Sequence, residues 1–511
     1  MNPDLMAVTP VSTPDEQGDE AEKQWIIDQF YGGISDAEKQ IVRTAYLLEK
    51  QYQFFFAQNG NILEYSSWFQ INRSAVRDSP TSGANQITAL PKWIVSGDPY
   101  TDKVYIYCAD GKMFSRDASG NYLYLFTAAN SRGNGVDMAG GYLYYTTNNT
   151  LGIYGPITGV ATNNDSYVTG LNNTSASGLA PVSATFNNVN VGHGNYLGVF
   201  DILTSNWTNN YLTADTRTYI RSFSNVNQML AVGQSDVGSL NANLGYVSVW
   251  DGQSTNFNTF SMTDGPVDAL LNWKNNLLTF IGSANMLYQG MSPITANQRF
   301  PKLTQSDRTV ILPGAVTEYM GQAMFGIYST TSSIFQNGVY HWGNRNDQYP
   351  AAMNFDYTIS TGNTTNVAIG ALYGTSTCLF IGWADNNLGT YGVDIVQNTN
   401  PFYSSAFLEG VIMDDLRPVD TKNLLTIKCS HLPLNTGESI QLAFKINRGG
   451  YILSTVNSTA GSTYTKLNVP PNYSGFTEAQ CKVIIGSPGT TTPTVTTLGA
   501  AYMPLLTQSQ Y

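Results

Sequence analysis

KVYIYCADG (Lys103–Gly111) sets a pattern that returns along the chain. A Gly/Asn/Asp turn borders a short run of apolar and aromatic residues, and a glycine often follows. The copies are GYLYYTT (Gly141–Thr147), NYLGVFD (Asn195–Asp201), QMLAVG (Gln228–Gly233), NLLTFIG (Asn276–Gly282), QAMFGI (Gln322–Ile327) and TCLFIG (Thr377–Gly382). Their mean step of roughly 46 residues is what four-stranded propeller blades require. Individual steps run from roughly 33 to 55, wider than a strict blade period. Several copies are followed by a second, aromatic run closed by a turn: GIYGP (Gly152–Pro156), VSVWDG (Val247–Gly252), MLYQG (Met286–Gly290) and VYHWG (Val339–Gly343). An inner strand lining the middle, then a turn, then an outer aromatic strand is the expectation for each blade. Six or seven blades are expected over residues 90–405. A long sandwich or prism with irregular hairpins is the competing reading.

From Ala406 onward the repeat stops. Strand-like runs at Phe407–Met413, Leu424–Ser430, Ser439–Asn447, Tyr451–Val456, Thr463–Leu467, Ala479–Ile485 and Val495–Tyr502 predict a β-sandwich over 406–511. Ile440, Leu442 and Phe444 alternate toward a core, and the strand ends in a hairpin at KINRGGY (Lys445–Tyr451). The first 70 residues differ. Residues 1–50 carry ten acidic and four basic side chains, and the opening residues read as an extended arm. A helix is expected over Glu20–Tyr31. A second is expected over Asp36–Phe56, opened by Ser35 and Glu38 as a capping box, though its aromatic end reads equally as a strand. The fold expected is thus all-β: a propeller, then a sandwich, behind a short helical or extended N-terminal arm (1–70).

The 511 residues carry a net charge of −11 from 25 basic and 36 acidic side chains, and only 12% are charged, about half the usual share. With no dense basic run, binding to nucleic-acid backbones is not expected. No apolar run is long enough for a membrane span, and Met1–Asp15 lacks the basic and apolar regions of a secretory signal. The four cysteines form no CxxC pair, so neither zinc nor any other metal or cofactor is expected. Cys429 and Cys481 are read as two buried thiols, with their pairing as the alternative.

Chemistry is sparse. His193, His341 and His431 have no evident partner at triad or metal spacing. SRDASGNY (Ser115–Tyr122) is close to the Asp box of sialidase propellers and is read as a blade turn. Glycoside hydrolysis would need carboxylates roughly 5–10 Å apart across a cleft. Asp264/Asp268 and Asp385/Asp394 are the pairs to test, each expected to be solvated in a turn with no apolar wall to raise its pKa. Aromatic residues near turns are the better binding candidates, because such rings stack on sugars and anchor protein interfaces. Trp207, Trp342, Trp383 and Tyr391 are the residues singled out.

FYGGISD (Phe30–Asp36), RDSP (Arg77–Pro80), GIYGPITG (Gly152–Gly159) and LNTGESIQLAFKINRGG (Leu434–Gly450) resemble segments of tailed-bacteriophage virion proteins that join a propeller to a terminal sandwich. The resemblance implies a non-enzymatic structural protein of the virion, in the tail or connector. It implies other virion proteins and further copies of itself as partners, and no catalytic residues. A carbohydrate-binding adhesin that contacts a host-surface glycan is the alternative, and a glycan-cleaving propeller the third reading.

Overall fold

The computed structural model describes residues 22–35, 53–97, 100–129, 132–172, 179–185, 187–236, 245–282, 286–290, 295–299, 309–329, 336–346, 348–414, 421–473 and 475–504. It is an all-β chain that divides into two units. One holds residues 75–340 and 358–398; the other holds the described residues within 1–74, 341–357 and 399–511. The chain crosses between them inside the strand Gly338–Gly343. No helix among the described residues is long and apolar enough to cross a membrane.

The first unit is a β-propeller. Its sheets begin with Pro91–Ser96, Gly135–Ala139, Val182–Thr185, Thr218–Val226, Ala269–Trp273, Val316–Tyr319 and Val367–Gly374, and each of these strands touches the next around a closed ring of seven. Six sheets have four antiparallel strands within this unit, and the sixth in ring order continues through Gln322–Ser329 into Gly338–Gly343.

The quoted repeats were expected to line the middle. Six of the seven are instead the second strand of their sheet, and NYLGVFD is the third. The second strand of that blade is Asn188–His193, with amides at positions 188 and 190 that hide it from a search for apolar runs. Asn190 is buried, and its Nδ2 donates to Ser183 O at 3.2 Å. Counting from Asn188 instead of Tyr196 removes the short 33-residue step to Met229.

Second strands read as unbroken apolar runs because both faces are buried. In the first blade Val104, Ile106 and Cys108 pack with Phe380, Val393 and Ile395 of the seventh. Tyr105 and Tyr107, pointing the other way, pack with Val136, Leu143 and Tyr145 of the second. Strand alternation therefore feeds two inter-blade cores at once.

The ring is closed by a segment far from its neighbours in sequence. Val76–Arg77 is the fourth strand of the seventh blade, pairing Ile395 with Val76 and Asp394 with Arg77. The N–H groups of Asp78 and Ser79 donate to Val393 O at 2.9 and 3.1 Å, and Val393 N donates to Ser79 Oγ at 3.0 Å. From the first blade, Arg116 Nε and Nη2 donate to the two Asp78 oxygens at 2.6 and 3.0 Å, and Tyr122 OH donates to Oδ2 at 2.8 Å. Residues 76–79 thus tie the last blade to the first.

The second unit contains two main sheets. One orders Lys23–Ile27, Val495–Pro504, Lys422–His431 and Tyr464–Asn468; the other orders Ala352–Tyr357, Phe56–Gln58, Ser405–Glu409, Ala479–Gly486, Ser439–Ile446 and Ile452–Leu453. Ile440, Leu442 and Phe444 are buried as expected, and the hairpin returns through Ile452 opposite Phe444. Cys429 and Cys481 are buried free thiols, and burial raises both pKa values.

Two expectations change. The helix over Glu20–Tyr31 is replaced by the strand Lys23–Ile27, paired along its length with Val495–Pro504. Trp25 and Ile27 point inward while Gln24 and Ile26 point out, a period of two that tertiary pairing favours over local helix signals. Strands from 406–511 also share their sheets with Lys23–Ile27, Phe56–Gln58 and Ala352–Tyr357, so that stretch is not self-contained. The helix over Asp36–Phe56 falls largely outside the described residues, as does the extended arm.

The Asp78 carboxylate and Arg116 are both nearly buried, at 12% and 13% side-chain exposure. Replacing Asp78 with Ala strands the guanidinium, and the expected loss is about 3 kcal/mol of unfolding free energy. Lys112→Ala breaks a half-exposed pair with Asp110 and should cost about 1 kcal/mol or less. Urea unfolding of the two variants checks the contrast.

Candidate functional site

Trp207, Trp342 and Trp383 were expected on loops and Tyr391 in or beside a turn, and all four lie in strands. Trp383 (Cys378–Asp385) is fully buried and Trp342 (Gly338–Gly343) nearly so, which leaves neither ring a face for a ligand. Tyr391 is half-buried in Thr390–Gln397 and packs on the core between the seventh and first blades. Trp207 is half-buried in Asn206–Thr213, directly across from Phe200.

Phe200 instead belongs to the wall of an open cavity of about 410 Å³. The cavity lies against the second blade and is bordered by the third strand of the third. Tyr142 and Tyr144, two apart on one strand, point to the same side. The register carries this face outward, from Tyr144 to Ile153 to Asn164. Gly155 keeps it hollow, since a Cβ there would stand 2.6 Å from the Tyr142 ring. Across the opening, Phe200 lies 5.7 Å from Tyr144 and 5.3 Å, edge-on, from Tyr167.

The polar lining is uncharged: Thr162, Asn164 and Ser205. Asn164 Oδ1 accepts from Ser166 N at 3.2 Å, which orients its Nδ2 as a donor. Burial, aided by Tyr167 and Tyr142, pushes Tyr144 up to about 12, so its hydroxyl stays protonated. Neighbouring Asp201 is spent on Leu203 N and the Thr204 N and Oγ of its own turn. Ring faces plus neutral donors and acceptors suit a neutral, hydroxyl-bearing ring. The sequence signal was the Tyr142/Tyr144 spacing within one repeat; Tyr167 and Phe200 become neighbours only through blade packing.

The three histidines are buried. Asn172 N donates to His193 Nδ1 at 3.0 Å, so Nε2 carries the proton and donates to Asn209 O at 2.7 Å, and burial lowers the pKa. His431 is held by Leu432 O and Thr465 Oγ1. His341 does have a partner, contrary to expectation: Asp356 Oδ2 lies 2.7 Å from its Nδ1, in a buried pair. Among the described residues no group of three His, Cys, Asp or Glu side chains could hold a metal.

The carboxylates also differ from expectation. Asp264 is exposed and accepts from Tyr288 OH, but Asp268, Asp385 and Asp394 are buried. Burial raises Asp268 and Asp394 to about 6. Each acid is nevertheless bound locally: Asp268 by Gly282 N, Asp385 by Thr361 and Asn363, Asp394 by Ser360 N and Oγ. Asp394 faces Ile381 in the register, four residues from Asp385 along that strand, or about 13 Å. The sialidase-like stretch is a turn in which Asp117 accepts from Asn121 N and Nδ2; Asp201 and Asp251 brace the same third-to-fourth-strand turn in other blades.

No family model matches the sequence, and no curated protein matches it. Among solved structures, the WD40 β-propeller domain of Doa1 aligns with TM-score 0.43 at 11% identity, over 64% of this chain and 97% of that one. A catalytically inactive virginiamycin B lyase from Staphylococcus aureus with quinupristin aligns at 0.41 and 13%, over 63% and 98%. The Dos1 propeller aligns at 0.40 and 13%, over 65% and 89%.

Asp394 supplies a pH test. An unfolded Asp titrates near about 3.9, so a folded pKa near 6 gives stability that is complete below about pH 4 and lost as pH rises through 6. Asp394→Asn removes the charge and keeps an oxygen to accept from Ser360 N, while its Nδ2 takes the place of the oxygen that accepts from Ser360 Oγ and can donate to that hydroxyl instead. Its urea midpoint should fall less between pH 4 and pH 7 than that of the parent chain; an equal fall would show that Asp394 does not titrate there.

Proposed function

We propose that this chain is a non-enzymatic structural protein of a tailed-bacteriophage virion, and that its propeller also serves attachment by holding a neutral saccharide ring in the cavity of the second blade. The virion part rests on the sequence resemblance and on the amide-rich, weakly charged composition. Other virion proteins and further copies of the chain are its partners in this reading. The attachment part rests on one observation: Tyr142, Tyr144, Tyr167 and Phe200 line a cavity whose remaining polar groups are neutral. The non-enzymatic part is supported by carboxylates spent on local donors and by histidines held in structural hydrogen bonds.

The test uses the full-length chain on an array of neutral glycans. One or more should bind, and Tyr167→Ala, at a partly exposed ring, should weaken binding about tenfold while the melting temperature holds. Absence of binding at high micromolar protein, or unchanged binding by Tyr167→Ala, would overturn the attachment role. Antibody to this chain should decorate intact tails; labelling confined to unassembled protein would overturn the virion role.

A further inference from the structure

A second aromatic cluster lies in the other unit, and it differs from the cavity by carrying a charge. Tyr65 and Trp68 stand 4.0 Å apart between ring centroids, tilted by 47°. Tyr31 and Tyr349 stand 4.7 Å apart, tilted by 54°. Arg345 joins the two pairs, with Cζ 5.5 Å from the Tyr65 ring and 5.6 Å from the Tyr349 ring. All five side chains are half-buried or exposed.

The supports are fixed. Trp68 N donates to Tyr65 O at 3.1 Å, and Phe30 N donates to Ser66 O at 2.8 Å. Tyr349 N donates to Asn346 O at 3.1 Å, and Gln348 N donates to Asn346 Oδ1 at 2.9 Å. These hydrogen bonds fix the backbone of Trp68 to Tyr65 and of Tyr349 and Gln348 to Asn346, which lowers the ordering cost of binding.

Arg345 makes ring contacts but no hydrogen bond or ion pair with another described residue. Exposed Glu64, next to Tyr65, does not pair with it. A guanidinium offers five N–H donors in a planar fork that matches a carboxylate in bidentate fashion. Here the flanking rings orient the fork and leave its donors unspent among the described residues. The exposed amides of Asn346 and Gln348 border it with hydroxyl-matching groups.

We propose that Tyr31, Tyr65, Trp68, Arg345 and Tyr349 form a binding shelf for a carboxylated saccharide, a hexuronate unit of an acidic polysaccharide. The rings stack on the apolar face of the sugar and Arg345 grips its carboxylate. A saccharide fits better than an acidic peptide because two of the four clustered rings flank Arg345 and the other two extend the cluster: among the described residues the shelf offers stacking area in excess of charge, whereas an acidic peptide needs several cations. This site is independent of the neutral cavity.

The probe is an oligogalacturonate, titrated calorimetrically into the full-length chain beside its methyl ester, which keeps the ring and removes the charge. The acid should bind at least tenfold more tightly than the ester. Arg345→Gln should abolish that preference, and Trp68→Ala should weaken both probes. Tyr167→Ala, in the other unit, should change neither. No binding of the acid at millimolar concentration, equal binding of acid and ester, or full binding by Arg345→Gln would overturn the proposal. So would an oligoglutamate that binds where the oligogalacturonate does not, which would identify the shelf as a protein contact. The Tyr167→Ala control separates failure here from failure of the neutral cavity.

Discussion

The propeller depends on one carboxylate. Asp78 lies hundreds of residues before the last blade, yet it is fixed to the Val393 carbonyl through its backbone and to Arg116 and Tyr122 through its side chain. A ring of sheets buries both faces of every blade only if the last meets the first. That seam packs Ile94, Val104 and Ile106 against Phe380, Val393 and Ile395. An open seam would expose this apolar surface, and burial of such side chains is worth about 1.5–3 kcal/mol each. The ion pair acts as the clasp that holds the larger hydrophobic term in place.

The same economy explains the composition. Strands buried on both faces carry few charged residues, and tight turns between them favour Asn, Asp, Ser and Gly. Acids that do enter the structure brace turns, as Asp117, Asp201 and Asp251 do, or sit buried among donors, as Asp385 and Asp394 do. The exposed polar groups are therefore largely amides, hydroxyls and tyrosines. Binding surfaces built from that supply are neutral and aromatic, as in the second-blade cavity. Arg345, which has no acid partner among the described residues, stands out against such a background.

Much of the fold was legible from period and turn chemistry. The seven repeats pointed to six or seven blades, because six of them are second strands that, buried on both faces, show as apolar runs. The third blade was misread for a specific reason: Asn188 and Asn190 break the run, and Asn190 is tolerated inside because Ser183 accepts its amide. The strand at Lys23–Ile27 was hidden because its partner lies near residue 500, and short segments reveal their period only when the pairing is known. The site was less legible. Trp342 and Trp383 drew notice as large rings near turns, but both are buried in the interior of their units. Tyr144, Tyr167 and Phe200 become one wall only after two blades meet, and His341 finds Asp356 only across a hairpin.

Closure of the ring requires residues 76–79 to be part of the cooperative propeller rather than a strap laid over it. Native-state hydrogen exchange measures this directly. The Asp78 and Ser79 amides, both bound to Val393 O, should exchange with the same opening free energy as core amides such as Ile106 and Phe380. Exchange of Asp78 and Ser79 through a local opening several kcal/mol cheaper, with the blade cores still protected, would contradict the claim that this segment closes the ring.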